Sequence, residues 1–363
     1  MTSTWGKMLK MTLFGQSHGV ALGLVLDGLP AGFHLDTQRL QAFMWRRAPG
    51  LEEWTSSRQE QDKPQFICGL KDDTITGTPL AALIYNQDSN SADYQSWQNI
   101  ARPGHADFTV FARYGMQAEL IGGGFFSGRL TAPLCLAGGI AMQILEQQNI
   151  YIGAHIQEIG GIIDSSYDPI LLTKEQLLIA GSRDFPVNDL PMGEQMKKSI
   201  RKAQQEKDSL GGIIEGAALG LPTGVGSPPF GGIENRLSQI LFAIPALVGL
   251  EFGSGFGAAK QRGSQNNDPF IVEQGQIRTA GNNHGGVLGG ISSGMPLIFR
   301  VAIKPTPSIA KEQRSVNMTT LQETKITVQG RHDPCIAPRA LPCVVAATAL
   351  ALLDMMLEQG KIL

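Results

Sequence analysis

The sequence has little of what marks several common classes of protein. It contains four cysteines in 363 residues and no C-x-x-C pair; they are Cys68, Cys135, Cys335 and Cys343. This spacing argues against a zinc finger and against the disulfide framework of a small secreted domain. Reduced thiols are typical of the cytoplasm, so we expect a cytoplasmic protein.

Charged residues are also few, at 17% of the chain, and the 30 Lys and Arg nearly balance the 32 Asp and Glu. A net charge of -2 offers no basic surface for nucleic acid and no polybasic segment for a membrane. The N-terminal "MTSTWGKMLK" lacks the apolar run of a signal peptide. The most apolar stretch, 341–360, contains Asp354 and a proline, so we predict a buried core helix there and no membrane span.

Apolar patterning and 44 glycines predict many short elements joined by tight turns. A strand, a Gly-Leu-Pro-x-Gly turn and an amphipathic helix occur at 21–47 and again at 210–244, and helical segments 128–147 and 338–359 also resemble each other. Asp36 is placed to cap the first of these helices, and smaller strands are expected at 79–86, 269–278 and 295–304. We predict an α+β fold, a layered sandwich of mostly antiparallel sheets and helices in one domain spanning 1–363. An internal duplication into two similar halves is one interpretation, and chance similarity of common turns is the other.

Histidines and arginines concentrate in loops marked by glycine or proline. His18 lies in "SHG", His105 in "RPGHAD", His284 in "GNNHGG" and His332 in "GRHDPC". Arginine binds phosphate and carboxylate through paired hydrogen bonds, and the glycine-rich segments 122–127 and 282–294 offer backbone amides. The combination predicts a loop-built site for one or two polyanionic small molecules.

These loops also contain residues typical of two other kinds of site, a serine nucleophile and a metal centre. The segment "GQSHG" fits the G-x-S-x-G pattern of serine hydrolases, but that motif needs a helix after the serine, and an extended segment follows Ser17. A metal site from His18, His105, His332 and Asp333 has no helical H-x-x-x-H spacing to support it. We therefore predict neither an acylated Ser17 nor a bound metal.

The segments "FGQSHG", "RPGHADFT", "RGSQNND", "NNHGGVLGGISSG", "KPTPSI" and "GRHDPC" together resemble the signature blocks of the chorismate synthase family. They occur in that family's order, and the resemblance runs from about Trp5 to the final helix. It implies a carbon-oxygen lyase of the shikimate pathway, which makes the precursor of the aromatic amino acids. The reaction is the 1,4-anti elimination of phosphate from 5-enolpyruvylshikimate 3-phosphate, giving chorismate.

The resemblance also implies a cofactor and an assembly. The family requires reduced FMN although the reaction is not a net oxidation. No large insertion is present, which favours a monofunctional enzyme that uses NADPH only indirectly, through a separate flavin reductase. The resemblance further implies a homotetramer.

Roles carry over from the family to matching positions. Ser17 and His18 would form a hydrogen-bonding and acid pair facing phosphate, His105 would stabilise or protonate the reduced flavin, and Asp333 would assist proton removal, with Ser127 also in the catalytic set. The implied ligands of the substrate anions are Arg46, Arg47, Arg58, Arg102, Arg129 and Arg331. The implied flavin contacts are Ser127, Ala246, Asn282, Gly286, Lys304, Pro305, Thr306, Pro307, Ser308 and Arg331.

Five positions depart from the family pattern: Gln16 for Glu, Glu53 for Arg, Phe125 for Arg, Phe126 for Ser and Pro245 for Asn. Phe125 and Phe126 leave open a related flavin protein that has lost or changed its substrate. A non-enzymatic protein that binds anions or flavin is a further alternative, disfavoured because His18, His105 and Asp333 are all present.

Overall fold

The computed structural model describes residues 2–50, 60–87, 99–115, 121–328 and 332–362. Its helices are α1 Thr37–Arg47, α2 Asp107–Tyr114, α3 Thr131–Glu146, α4 Lys174–Gly181, α5 Leu190–Gln205, α6 Ile233–Leu241, α7 Gly263–Asn266 and α8 Ala337–Glu358. Its strands are β1 Thr4–Trp5, β2 Lys10–Gly15, β3 Ala21–Asp27, β4 Pro64–Cys68, β5 Leu70–Lys71, β6 Thr74–Ile75, β7 Leu80–Tyr85, β8 Tyr151–Ile159, β9 Ile162–Ile163, β10 Gly212–Leu219, β11 Leu247–Phe252, β12 Phe270–Glu273, β13 Gln276–Thr279, β14 Val287–Leu288, β15 Ile291–Ser292, β16 Leu297–Ile303, β17 Glu312–Asn317 and β18 Gln322–Thr327.

Two five-stranded antiparallel sheets carry the fold, in the orders β1-β2-β3-β7-β4 and β11-β16-β10-β8-β9. Helices form a layer between them: α3 packs on the first sheet, α8 on the second, and the two helices pack on each other. The predicted α+β layered sandwich of antiparallel sheets is therefore confirmed. One cluster of buried apolar side chains runs through both sheets and both helices.

Both halves of the chain share one topology. β2, β3, β7 and β4 with α1 and α3 match β8, β10, β16 and β11 with α6 and α8, in the same spatial and sequence order. Gly28 and Gly220, which begin the two similar turns, have φ of 90° and 80°. A Cβ added at Gly28 would lie 2.1 Å from the Met8 carbonyl oxygen, and one added at Gly220 would lie 2.1 Å from the Asn149 carbonyl oxygen. Each of these carbonyls comes just before β2 or β8, the equivalent strands of the two halves. The structure thus favours duplication over chance similarity, because chance turns would not reproduce the strand order.

The two long central helices approach each other closely. A Cβ added at Gly138 of α3 would lie 2.3 Å from the Cα of Ala346 in α8, so glycine is needed at the crossing. By length and composition the stretches Gly128–Glu146 and Ala337–Glu358 could each cross a membrane, but most of each is buried inside the fold. They are core helices here, as the sequence predicted for the second.

Asp354, the one acidic residue well inside α8, anchors the N-terminal segment. Its carboxylate accepts backbone N–H groups of Met8 at 2.7 Å and Leu9 at 2.8 Å and pairs with the guanidinium of Arg236. A fully buried carboxylate needs such partners. These bonds tie the strand that leads to "FGQSHG" to the helix that ends the second half.

Local signals account for the other predicted elements, with one difference. Asp36 caps α1 by accepting the Arg39 N–H at 2.9 Å, as the sequence predicted. The segment 269–278, expected as one strand, is instead the hairpin β12–β13, which turns at Gln274 and Gly275. Gly275 has a φ of 77°, a conformation that suits a hairpin turn.

Candidate active site

A cavity of about 880 Å³ lies at the junction of the two halves. The ends of α1 and α6 and the beginnings of α3 and α8 surround it, together with the loops before α2 and after β16. The equivalent helix ends of the two halves therefore meet at one place. This position is a consequence of the duplicated topology.

Most of the predicted site residues line this cavity although they are far apart in sequence. Those that line it are Ser17, His18, Arg47, Arg102, His105, Ser127, Arg129, Ala246, Lys304, Thr306, Pro307, Ser308 and Asp333. His332 lines it as well. The fold thus brings the polar loops of the sequence into one site.

Other predicted site residues lie elsewhere. Arg46 is exposed, and its guanidinium lies beside Gly181 on the outer surface. Asn282 accepts the Gly286 N–H at 2.8 Å and donates to the Pro296 carbonyl at 2.9 Å, which stabilises its own loop outside the cavity. Pro305 packs near Gly211 and is likewise not part of the cavity wall. Arg58, Arg331 and Glu53 lie outside the described residues.

The Ser17–His18 pair lies in the turn between two antiparallel strands. β2 ends at Gly15, whose φ is 95°, and β3 begins at Ala21. Ser17 is buried, and its N–H donates to the Gly124 carbonyl at 3.2 Å. A nucleophile elbow needs a helix at this point, so the strand that follows excludes the hydrolase interpretation of the motif.

A glycine loop packs directly against His18. Gly122 has a φ of 61°, and a Cβ added there would lie 2.0 Å from His18 Nδ1. Such a distance is far shorter than a van der Waals contact. The backbone of Gly122 therefore forms one wall of the space that the imidazole occupies.

Replacing Gly122 with alanine is therefore expected to displace His18. The positive φ alone costs roughly 1–2 kcal/mol for a non-glycine residue. Gly161→Ala is the matched control, because Gly161 also has a positive φ, of 87°, lies outside the cavity, and has nothing within 4 Å of its added Cβ. Urea unfolding and turnover of the two variants check this, and equal behaviour of Gly122→Ala and Gly161→Ala would contradict it.

Two predicted substrate arginines are bound to carboxylates of the chain itself. Arg47 donates to Asp62 at 2.7 Å, to Thr131 Oγ1 at 3.0 Å and to the Gly128 carbonyl at 3.0 Å. Arg129 pairs with Asp62 and lies 3.4 Å from Glu60. Burial acts to raise the pKa of Asp62, but Arg47 and Arg129 outweigh it and hold that pKa below its usual value. The network fixes both guanidinium groups at the cavity wall.

Asn86 connects this network to the Ser17–His18 turn. Its Nδ2 donates to the carbonyls of Gln16 at 3.1 Å and Gly19 at 2.7 Å, while its Oδ1 accepts from Arg129 Nε at 3.0 Å. Asn86, Asp62 and Glu60 were not predicted from the sequence. The only available signal was the pair of acidic residues two apart in "RQEQD", next to the arginine-rich end of α1.

A second cluster joins the loop before α2 to the loop after β16. His105 Nε2 lies 2.7 Å from Ser308 Oγ, and Arg102 binds Asp107 through two bonds of 2.7 and 2.8 Å. Burial, with the charge of Arg102 adding to it, lowers the pKa of His105 to about 4. His105 is therefore neutral at pH 7 in the ligand-free protein and donates or accepts hydrogen bonds as an imidazole.

Asp333 is held by Arg339, which was not predicted from the sequence as a site residue. Arg339, in the first turn of α8, donates Nη1 to the Asp333 carboxylate and Nε to the Arg47 carbonyl at 3.1 Å. The similarity of the two helical segments could have identified Arg339. Arg129 precedes a proline of α3 in the first segment, and Arg339 precedes Pro342 of α8 in the second. Both arginines line the cavity.

Aromatic side chains form another wall. The rings of Phe125 and Phe126 lie perpendicular at 6.1 Å, and Tyr114 lies 6.4 Å from Phe126. Pro245 is the other residue at the cavity that departs from the family pattern, and it suits the turn in which it lies. Proline has the φ of the first central position of a type II turn, and Ala246 follows it with the positive φ of the second, 70°. The cavity therefore combines an aromatic wall with a polar, cationic one.

The cavity also contains a hydroxyl that lacks an internal partner. Thr306 Oγ1 is buried and makes no hydrogen bond within the described part of the chain. In the same part, no group of three His, Cys, Asp or Glu side chains could hold a metal ion. A polar ligand would satisfy the Thr306 hydroxyl.

Comparisons with known proteins all point to one family. A family model described as chorismate synthase matches residues 9–357. The chorismate synthase of Lancefieldella parvula is 44% identical over 98% of this chain and 96% of its own length. That of Dehalococcoides mccartyi is 43% identical over 100% of this chain and 98% of its own.

A solved structure has the same fold. A crystal structure of chorismate synthase superposes with a TM-score of 0.76 at 27% identity, covering 98% of this chain and 93% of the other. Sequence and fold thus agree over nearly the whole length. This chain belongs to the chorismate synthase family.

Proposed function

We propose that this chain catalyses the 1,4-anti elimination of phosphate from 5-enolpyruvylshikimate 3-phosphate to form chorismate. The observation that carries the proposal is the convergence of Ser17–His18, His105–Ser308 and Asp333–Arg339 on one cavity. The duplicated halves build this cavity together, so we propose that residues 1–363 act as one catalytic unit.

The charge of the cavity wall suits this substrate. One carboxylate, Asp333, faces five cations among the lining residues: Arg47, Arg102, Arg129, Lys304 and Arg339. Asp62, Glu60 and Asp107 pair with three of these arginines from behind the wall. A substrate with two carboxylates and a phosphate would therefore meet a net positive surface in a protein of near-zero net charge.

Each catalytic residue has a role that its surroundings support. His18 would protonate the departing phosphate, and the Ser17 hydroxyl would donate a hydrogen bond to it. Asp333 would accept a proton at the carboxylate that Arg339 orients. Arg47 and Arg129 are held by Asp62, so they would bind the substrate's anions without having to be ordered first.

The chemistry of the cavity wall suits reduced FMN. Its aromatic wall suits a flat ring, and Thr306, Ser308, Lys304 and His105 offer polar groups along the other wall. When bound, reduced FMN would supply electron density to the elimination without being consumed. We propose that a separate NADPH-dependent flavin reductase supplies it and that the chain is monofunctional. A cytoplasmic homotetramer is part of the same proposal.

Some proposed contacts rest on the family resemblance alone. Arg58 and Arg331 stay proposed anion ligands, and Ser127, Ala246 and Pro307 stay proposed flavin contacts at the cavity. Arg46, Asn282, Gly286 and Pro305 stay proposed ligands too, although each lies outside the cavity of a single chain.

The requirement for reduced FMN tests the proposal. In an anaerobic mixture with the enolpyruvyl substrate, chorismate is expected to form when reduced FMN is present and not when it is left out. The absorbance of chorismate is the measurement. Formation at full rate without flavin would contradict the proposal, and phosphate release with no chorismate would favour a different reaction on the same ligand.

Ser17→Ala is expected to slow chorismate formation without abolishing it. A hydrogen bond to a charged group contributes about 1.5–3 kcal/mol. At about 1.4 kcal/mol per tenfold change, the loss is roughly ten- to two-hundredfold. Ser182→Ala, at an exposed serine outside the cavity, is the control. Stoichiometric labelling of Ser17 by a fluorophosphonate would instead indicate a nucleophile.

Phe125 and Phe126 favour a second candidate function. They replace polar residues of the family pattern, and Phe126 is 39% exposed. A flavin protein of this family with a changed substrate would keep reduced-FMN binding and fail to convert 5-enolpyruvylshikimate 3-phosphate. The anaerobic assay distinguishes the two candidates.

A further inference from the structure

Two cysteine thiols face each other where α3 and α8 pack together. Cys135 Sγ donates a hydrogen bond to Cys343 Sγ at 3.7 Å, and both side chains are buried. Cys343 also lines the cavity. The proposed elimination uses neither sulfur atom, so the pair is unexplained by the function above.

The helix backbones near the pair are close together. Gly138 and Ala346 lie three residues beyond Cys135 and Cys343, about one helical turn away. An added Cβ at Gly138 would lie 2.3 Å from Ala346 Cα, so the helices nearly touch there. A disulfide has an S–S bond of about 2.0 Å, so the two sulfurs would have to approach by about 1.7 Å through side-chain rotation and a small backbone shift.

The surroundings distinguish the two thiols from each other. The hydrogen bond from Cys135 lowers the pKa of Cys343 against the effect of burial, and the charge of Arg47 adds to it. Burial and the same hydrogen bond raise the pKa of Cys135. Cys343 also lines the cavity, so a peroxide that enters the cavity meets its sulfur first. Cys135 does not line the cavity and lies 3.7 Å from that sulfur, placed to react with it second.

The other two cysteines lack such an arrangement. Cys335 is buried, which raises its pKa to about 12, and Cys68 is exposed and donates to the Pro79 carbonyl. A site of this kind is therefore specific to the α3–α8 pair within this chain. Cys68 and Cys335 serve as internal controls for it.

We propose that Cys343 and Cys135 form an oxidation site at which a hydroperoxide converts the two thiols into a disulfide linking α3 to α8. The Cys343 thiolate attacks one oxygen of hydrogen peroxide, the O–O bond breaks, and the leaving hydroxide takes a proton to become water. The resulting sulfenic acid loses its oxygen as a second water when Cys135 sulfur attacks the Cys343 sulfur. Two thiols and one peroxide give one disulfide and two waters.

The oxidised bond would act on the cavity through Arg339. Cys343 Sγ donates to the Arg339 carbonyl at 3.4 Å, and Arg339 in turn holds Asp333 and the Arg47 carbonyl. Pulling Cys343 toward α3 breaks the first of these bonds. A misplacement of about 1 Å can cost roughly a hundredfold in rate, so we expect a tenfold to hundredfold loss of turnover, reversed by dithiothreitol. This consequence rests on the proposed function; the chemistry of the thiols does not.

Mapping the thiols tests the site without substrate or flavin. The full-length protein is treated with hydrogen peroxide, denatured, alkylated and digested, and its peptides are identified by mass spectrometry. Cys135 and Cys343 are expected to lose alkylation together and to appear as one cross-linked peptide pair, lighter by two hydrogens, which dithiothreitol separates. Cys68→Ala is expected to leave this cross-link unchanged.

A second variant keeps the test independent of activity. In Cys135→Ala, Cys343 is expected to stop at the sulfenic acid, which dimedone traps. The proposal is overturned if Cys135 and Cys343 both stay alkylatable after Cys68 has been oxidised, or if each is modified independently. The cross-link in the unmodified protein remains decisive if Cys135→Ala does not fold. Failure of the cross-link would leave chorismate formation untouched, so the two proposals fail separately.

Discussion

Replacing Asp62 with alanine is expected to lower the free energy of unfolding by about 3–5 kcal/mol. The carboxylate is buried and pairs with both Arg47 and Arg129, which are buried as well. Within the described part of the chain, its removal leaves Glu60 as the one remaining charged partner of Arg47 and Arg129 in this network.

The matched control for Asp62 is another aspartate with the same backbone conformation. Asp62 has a φ of 47° and the exposed Asp72 a φ of 48°, so alanine is equally strained at both positions. Urea unfolding is expected to show the large loss for Asp62→Ala only. Equal losses in the two variants would mean that backbone strain, and not the ion-pair network, sets the effect.

The lowered pKa of Asp62 predicts how the stability of the wild-type protein responds to acid. The folded pKa of Asp62 lies below its ordinary value, so its stabilisation is complete above an unfolded pKa of about 4 and declines as pH falls through the lower folded pKa. The uncharged variant Asp62→Asn lacks this contribution at every pH. Its stability is therefore expected to approach that of the wild type as the pH falls below about 4.

Removing either proposed catalytic histidine, His18 or His105, is expected to lower turnover by about 10²–10⁴, the usual contribution of a general acid or base. His18 lies against Gly122 in the β2–β3 turn, and His105 bonds Ser308 across the junction of the halves. Neither replacement with alanine removes a large apolar contact. The fold is therefore expected to survive in both variants.

Two measurements separate catalysis from folding in these variants. Anaerobic turnover with reduced FMN gives the rate, and thermal unfolding gives the folded fraction. His34→Ala is the control, because His34 is exposed and outside the cavity. If residual activity of His18→Ala or His105→Ala simply follows the amount of folded protein, the histidines only hold their loops together.

Sequence patterns predicted the elements well where local chemistry decides them. Asp36 caps α1 because its side-chain oxygen accepts a backbone N–H. The paired Gly-Leu-Pro-x-Gly turns begin at glycines with a positive φ, which few other residues can adopt. The extended segment after Gly19 likewise followed from its apolar residues. The sequence predicted one strand at 269–278, but Gln274 and Gly275 form a turn there, so the segment is the hairpin β12–β13.

The site was harder to predict because its support depends on distant packing. Neighbouring helical residues point about 100° apart, so only one of Arg46 and Arg47 could face the cavity, and local sequence does not say which. Asp62 and Glu60 look like surface charges until the fold buries them beside Arg129. Arg339 becomes a partner of Asp333 only through the start of α8.

We propose that the elimination of phosphate in this cavity uses a reduced flavin that is not consumed. One anaerobic reaction in which chorismate, phosphate and reduced FMN are all counted tests this most directly. We expect equal amounts of chorismate and phosphate, both in large excess over the flavin, with the flavin still reduced at the end. Loss of one reduced flavin per chorismate, or phosphate released without chorismate, would contradict it.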